Sequence, residues 1–411
     1  MLFNLNEFLI AVSFTLDFVE MDILGVTTNH GKRTAYTSLK ISKELGLSSE
    51  GLYDIVALAI LHDNGVSEKS LHDRFLIGEF IDVKSIERKK EHCTIGEENV
   101  RQYPFLTDVR NAIKYHHEEY NGTGYFNLKG DEIPLLSQII HMVDVMETNF
   151  DLQNNNSDMQ IEVMKFINQQ KNKMFAPKIV TVFSNIAESK EFWLNLNNDY
   201  IEKALEDNTP KYSVELGFDK IGKITGVFSR IIDSKSKFTQ RHSKDLSDKV
   251  AIMANFYCMG HDEKMKLIIA ANLHDIGKLY VPNSILDSPS KLASEEFDII
   301  KKHPYFTRIA LQEIKGFEDI TEWASNHHEK LNGQGYPFGK TGKELDFNSR
   351  LLTCLDIYEA LTEERPYRIA LEHEAAMEIL NKMKDNGFID VRITEDINHV
   401  FSSAIKELVL N

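Results

Sequence analysis

At 411 residues the chain is too long for one ordinary core; at about 150 residues per domain it holds two or three. The formal net charge of -16 excludes a polynucleotide partner, which needs a basic patch, but leaves a small anion open if metal ions supply positive charge locally. Cys93, Cys258 and Cys354 form no CxxC pair, so neither a disulfide framework nor a thiolate zinc site is suggested, and a cytoplasmic location is the simplest reading.

Residues 1–25 are partly apolar but carry Asn4, Asn6, Glu7, Asp17, Glu20 and Asp22. No basic segment precedes them, and no run reaches the roughly 18 apolar residues of a membrane span. They read as an amphipathic packing helix, without membrane insertion. Residues 51–62 are apolar on most faces, as in a buried helix, and end in Leu61-His62-Asp63-Asn64-Gly65. His92 follows, then His116-His117-Glu118 ahead of Asn121-Gly122-Thr123-Gly124-Tyr125, then Asp144. Asn154-Asn155-Asn156 reads as a loop. Residues 189–220, with Asn195, Asn197, Asn198, Asp207, Asn208 and Pro210, read as a connector.

The same landmarks then recur in the same order. His242 precedes a second apolar helix, 264–274, which ends in Leu273-His274-Asp275-Ile276-Gly277. His303 comes next, then His327-His328-Glu329 ahead of Asn332-Gly333-Gln334-Gly335-Tyr336, then Asp356. Residues 346–361 and 372–384 are also helical in pattern. The landmarks are displaced by 211 or 212 positions throughout, which marks a duplication. Alternating strand signals are scarce. The expected fold is all-α, two tandem helical bundles joined by a connector, with boundaries at 1–188, 189–220 and 221–411.

Ten of the fifteen histidines fall on the repeated landmarks. Imidazole is the commonest metal-binding side chain, and a lone histidine on an apolar helix is usually a core residue. Five histidines and two aspartates, duplicated with their spacing, instead point to metal. Imidazoles with carboxylates suit iron, manganese, nickel or zinc, and suit calcium poorly. Seven side chains are too many for one tetrahedral ion. They are about right for two ions some 3.5–4 Å apart, which can clamp a phosphate and generate hydroxide between them. A one-metal hydrolase would need only His242, His274, Asp275 and Asp356; His303, His327 and His328 argue for a second ion.

The string His274-Asp275-Ile276-Gly277-Lys278, then Val281-Pro282, His303, His327-His328-Glu329, Gly333-Gln334-Gly335-Tyr336-Pro337, Asp356-Ile357-Tyr358-Glu359-Ala360-Leu361-Thr362 and Arg365-Pro366-Tyr367-Arg368 closely resembles the HD-GYP family. The match covers the second copy; the first resembles the same HD-type bundle with weaker motifs. The resemblance implies a metal-dependent phosphodiesterase of bacterial signalling. Its substrate would be a cyclic dinucleotide, above all cyclic di-GMP, cleaved to the linear dinucleotide or to GMP. It implies two divalent ions, commonly iron or manganese. Carried over, His242, His274, Asp275 and Asp356 would hold one ion, and Asp275, His303, His327 and His328 the other. Asp275 and Lys278 would form the catalytic pair, with Lys278 on the scissile phosphate. Tyr336, Arg365 and Arg368 would shape the nucleotide site.

The chain departs from the family pattern in places. Where some members carry a glutamate for a third ion, this chain has Phe238, so two ions are expected. Asn332 and Glu359 replace the usual aspartates beside the Gly-Tyr-Pro and Ala-Leu motifs. Residue types alone leave Tyr336 either a nucleotide contact or a packing residue, Arg365 and Arg368 either functional or surface charges, and Glu329 either an orienter of an imidazole or an exposed side chain. Other readings are a hydrolase of another cyclic dinucleotide or nucleotide phosphoester, and a non-catalytic cyclic dinucleotide receptor. A homo-oligomer or a signalling partner stays open.

The first copy keeps every candidate ligand: His30, His62, Asp63, His92, His116, His117 and Asp144. Val66 stands at the Lys278 position, Gln153 and Asn156 at those of Arg365 and Arg368, Gln138 at that of Arg350, and Phe126 follows Tyr125. The expectation is a copy that binds metal, lacks the anion-binding side chains, and serves as a docking or regulatory domain.

Overall fold

The computed structural model describes residues 1–17, 27–65, 84–234, 242–286, 288, 292–363 and 369–402, with the side chains of 84–89, 234 and 283 left aside. The expected positions Val66, Phe238, Arg365 and Arg368 lie outside the described residues. The chain divides into two compact units: Leu2–Glu215, and Met1 with Leu216–Asn411. Both are helical bundles; among the described residues the only sheet is a two-stranded antiparallel ribbon in the first unit.

In the first unit, β1 (Leu2–Phe3) pairs with β2 (Val214–Glu215), setting Leu2 opposite Glu215 and Phe3 opposite Val214. Its helices are α1 (Leu5–Val12), α2 (His30–Glu44), α3 (Ser49–Ile60), α4 (Lys84–Val100), α5 (Leu135–Asn149), α6 (Ser157–Gln169), α7 (Pro177–Ile186), α8 (Lys190–Leu194) and α9 (Ile201–Asn208). Of the opening segment 1–25, expected as one packing helix, Leu5–Val12 forms α1, and residues 18–25 lie outside the described residues. Asn4 caps α1 by accepting from Asn6 and Glu7 amides, and Leu5, Phe8 and Leu9 are buried where α1 lies on α3.

The stretch read as a connector is built into this unit up to Glu215. Its asparagines mask an apolar set: Phe192, Trp193, Leu196, Ile201 and Leu205 are buried. Phe192 stacks on Tyr36, with ring centroids 6.1 Å apart, and the Asn195 amide donates to the Tyr36 hydroxyl at 2.9 Å. Of the amide side chains that look like loop composition, Asn195 and Asn198 bond α2, Asn197 donates to the Gln153 carbonyl and Asn208 to the Ala204 carbonyl of its own helix.

The second unit comprises α10 (Phe218–Ser234), α11 (His242–Phe256), α12 (His261–Leu273), a 3₁₀ turn (Ile276–Tyr280), α13 (Asn283–Leu286), α14 (Ser294–Ile300), α15 (His303–Leu311), α16 (Glu318–Ser325), α17 (Phe347–Thr362), α18 (His373–Asp385) and α19 (Val391–Phe401). Helix α12, charged in its first turns and buried from Leu267 to Leu273 apart from the half-buried Ile268, sits against α10, α11 and α16. Asp346 starts α17 by accepting the Ser349 amide at 2.7 Å and also takes the Trp323 indole N–H at 2.7 Å, which ties α17 to α16.

One close approach explains the glycine of the His-Asp-x-Gly string. A Cβ on Gly277 would stand 1.9 Å from the His303 carbonyl, and one on Gly65 would stand 2.0 Å from the His92 carbonyl. Only glycine lets the turn after α12 press on the first turn of α15. That contact brings Asp275 and His303 to one place.

Candidate metal centres

Each candidate ligand of the second unit stands at an end or on an inner face of a helix. His242 opens α11, His274 caps the end of α12, Asp275 begins the 3₁₀ turn, and His303 opens α15. His327 and His328 follow α16, and Asp356 faces inward from α17. All but His328 are buried. The seven are brought together. Asp275 Oδ1 lies 3.3 Å from His303 Nε2 and 3.8 Å from His327 Nε2; Asp275 Oδ2 lies 3.2 Å from His274 Nε2. Asp356 Oδ1 lies 3.1 Å from His242 Nε2 and 3.7 Å from His274 Nε2, and Asp356 Oδ2 lies 3.8 Å from His328 Nδ1.

The hydrogen bonds fix which imidazole nitrogen faces the centre. His274, His303 and His327 each place Nδ1 on the backbone carbonyl three residues earlier, at 2.8, 2.8 and 2.6 Å. A carbonyl only accepts, so these Nδ1 atoms carry the proton and each neutral ring turns an Nε2 lone pair inward. His303 Nε2 and His327 Nε2 then stand 3.0 Å apart, two acceptors facing each other. Among the described residues, the buried Asp275 Oδ1 and His274 Nε2 make no hydrogen bond. Lone pairs and an ionised oxygen converging at ion-ligand spacing are what a cation would satisfy, so the donor set fits divalent metal.

Charge supports the same conclusion. Burial pushes the Asp275 carboxyl up, but His274 and Lys278 outweigh it and hold it well below the usual range. Burial likewise opposes ionisation of Asp356, and His242 and His274 overcome it. Burial pushes His242 down, whereas Asp356 and Glu363 raise it to about 10. Burial lowers His327, and lowers His328 to about 3. Two buried ionised carboxylates need positive charge, and His327 and His328, held neutral, are in the form that ligates, whereas His242, raised by the carboxylates beside it, must give up a proton to do so.

Lys278, from the 3₁₀ turn, sets Nζ 2.5 Å from Asp275 Oδ2 and remains partly exposed at the edge of the cluster. Tyr336 lies over His328, with ring centroids 4.8 Å apart, so it joins the site rather than packing elsewhere. Burial, with Asp356 and Asp275 near, pushes its phenol up and keeps it protonated. Arg365 and Arg368 are not among the described residues.

Two neighbours were misjudged or missed. Glu329 is neither exposed nor on an imidazole. It is buried and accepts the Phe338 and Lys340 amides at 2.7 and 2.9 Å, closing the glycine-rich turn that carries Tyr336. Glu118 does the same in the first unit, accepting from Phe126 and Leu128, both at 2.6 Å. Glu363, read from the sequence only as a surface partner for Arg365 or Arg368, places its Oε2 3.5 Å from His242 Nδ1, on the far side of the ring from Asp356. It is the C-cap of α17, seven residues on from Asp356, and that two-turn spacing was the available signal. Arg350, counted as an anion-binding side chain, is instead paired with Asp390 at 2.8 Å.

The first unit repeats the cluster. Asp63 Oδ1 lies 3.4 Å from His92 Nε2 and 3.3 Å from His116 Nε2, and Asp63 Oδ2 lies 3.7 Å from His62 Nε2. Asp144 Oδ1 lies 3.6 Å from His30 Nε2 and 3.5 Å from His62 Nε2, and Asp144 Oδ2 lies 3.9 Å from His117 Nδ1. His62 and His116 place Nδ1 on the Ala59 and Ile113 carbonyls. The rim differs. Asn156 caps α6 by accepting the Met159 amide at 2.9 Å, and the Gln153 carboxamide oxygen accepts from Asn198 at 2.6 Å. Cys93, which the pair-spacing rule passed over, lies among the histidines, its Sγ 3.5 Å from His92 Nε2.

Comparison with known proteins agrees with this geometry. A family model described as HD domain matches residues 22–179 and again 226–393. The chain is 28% identical to the 3'3'-cGAMP-specific phosphodiesterase 1 of Vibrio cholerae, over 96% of this chain and 91% of that protein. It is 28% identical to the 3'3'-cGAMP-specific phosphodiesterase 3 of the same organism, over 92% and 91%. A probable cyclic di-GMP phosphodiesterase of V. cholerae is 34% identical, but over only 32% of each chain. A crystal structure of a cyclic GMP-AMP specific phosphodiesterase of V. cholerae (V-cGAP3) matches with a TM-score of 0.68 and 26% identity, over 97% of both chains. Two family matches, one on each helical bundle and each on its own cluster of histidines and aspartates, make this chain a tandem member of the HD domain family.

Proposed function

We propose that the chain is a metal-dependent phosphodiesterase of cyclic dinucleotides, acting at the cluster in its second unit. The convergence of seven ligands, with His303 Nε2 and His327 Nε2 facing each other at 3.0 Å, carries the reading. Likeness over nearly the full length to two 3'3'-cGAMP-specific enzymes supports the mixed dinucleotide as substrate in preference to cyclic di-GMP, which is named for relatives matching a smaller part of the chain. Two ions would be held by His242, His274, Asp275 and Asp356 and by Asp275, His303, His327 and His328, with iron or manganese fitting the nitrogen and oxygen donors. Bound there, they would supply Lewis acidity and a nucleophilic water at neutral pH.

The side chains do the rest. Lys278 is placed beside Asp275 to meet the negative charge that grows on the non-bridging phosphate oxygens. Tyr336 offers a protonated phenol and a ring face at the mouth, on a turn that Glu329 holds rigid. Asp275 orients three imidazoles at once, and Glu363 fixes His242. In the first unit the side chains at the two arginine positions are engaged in a helix cap and in a hydrogen bond to Asn198. That supports a copy that holds metal and regulates or docks without turning over substrate. The test is hydrolysis of 3'3'-cGAMP and of cyclic di-GMP by the full chain. Preference for the mixed dinucleotide is expected; metal and ligand binding without cleavage of either would contradict the enzyme reading.

A further inference from the structure

Beyond the rim, the first unit also differs from the second inside its cluster. Cys93 follows His92 on α4, is fully buried, and stands where the second copy has Pro304. Ligand atoms of His92, Cys93, His116 and His117 all lie within 4.8 Å of one another. His92 Nε2 and Cys93 Sγ are 3.5 Å apart, and Asp63 Oδ1 is 3.4 Å from His92 Nε2 and 3.3 Å from His116 Nε2. An ion with bonds of about 2.0–2.3 Å in tetrahedral array sets its ligand atoms about 3.3–3.7 Å apart, so these separations are the edges of such a shell. His116 donates Nδ1 to the Ile113 carbonyl, which turns its Nε2 lone pair inward. Among the described residues, buried His116 Nε2 and Asp63 Oδ1 make no hydrogen bond.

We infer that Cys93 is a thiolate ligand, and that the first unit holds, through Asp63, His92, Cys93 and His116, a softer ion than the second unit does. Thiolate and imidazole together select zinc, whereas the second unit offers only nitrogen and oxygen and accepts harder ions such as manganese. Binding releases the thiol proton to solvent as the sulfur–metal bond forms. The two centres of one chain would therefore load with different metals. This rests on reading the first unit as a metal holder, and the experiment separates the two ideas.

Full-length protein produced in cobalt-supplemented minimal medium provides the probe. A sulfur-to-cobalt charge-transfer band in the near ultraviolet is expected in the wild type and in Asp275→Ala, and its loss is expected in Cys93→Ser. The double variant Cys258→Ser/Cys354→Ser leaves Cys93 as the sole thiol and keeps the test decisive even if Cys93→Ser misfolds: the band must persist there. A wild type without the band, a band that survives in Cys93→Ser, or one lost in the double variant overturns the thiolate. Cobalt counts distinguish the levels. A count lowered by Asp63→Ala in protein without the band leaves metal in the first unit and removes Cys93 from it. A count unaffected by Asp63→Ala overturns both.

Discussion

Lys278 and Asp275 lie 2.5 Å apart on one short turn, yet their roles separate cleanly. Asp275 lies against three imidazoles and belongs to the cluster's frame, whereas the Lys278 ammonium pairs with Asp275 and reaches solvent. Lys278→Ala should thus lower kcat by about 10²–10³-fold while metal content, measured by elemental analysis, stays unchanged. A fall in bound metal would make the lysine part of the frame. The clustering of the candidate ligands was legible in the sequence because repetition singled out seven residue positions twice. Glu329 was not, because an isolated glutamate gives no sign of whether it faces water or a pair of amides. Its role follows from the turn that folds back over it, and Glu329→Ala strands two N–H groups. A loss on the order of 2–4 kcal/mol is expected in chemical denaturation, together with a raised KM as Tyr336 loses its support. Unchanged stability would refute the clamp.

At the level of elements, the site depends on how tightly the turn after α12 meets α15. Gly277→Ala puts a methyl 1.9 Å from a backbone carbonyl, and no side-chain rotation relieves that contact. Stability should fall by about 2–4 kcal/mol, read by denaturant titration, and activity should fall with it as Asp275 moves away from His303. Wild-type stability and turnover in this variant would show that the approach is not required. The helices themselves were readable from apolar periodicity, and so was the all-α fold. The packing of 190–208 was not, because five buried apolar residues are interspersed with asparagines whose hydrogen bonds only the folded unit reveals. Cys93 was obscured for a related reason. Thiolate sites announce themselves in sequence as spaced pairs, and here a single sulfur is completed by imidazoles from distant elements.

On the scale of the whole molecule, one duplicated scaffold carries two clusters that share seven residue positions and differ at the rim and at Cys93. On the proposed reading, metal held by the buried aspartates and inward lone pairs of both clusters stabilises each unit. Dialysis against a chelator should lower the melting temperature, and returning divalent ion should restore it, with ion at about 1,000 times its dissociation constant contributing about 4 kcal/mol. An unshifted melting curve would contradict metal in either unit. The division of labour is the central claim. Metal content and cyclic dinucleotide hydrolysis should be measured side by side for the wild type, Asp275→Ala and Asp63→Ala. Asp275→Ala is expected to lose turnover and the second unit's metal, while Asp63→Ala loses the first unit's metal and keeps the capacity to cleave. Equal loss of turnover in a folded Asp63→Ala, or retained turnover in Asp275→Ala, would contradict placing the chemistry in the second unit.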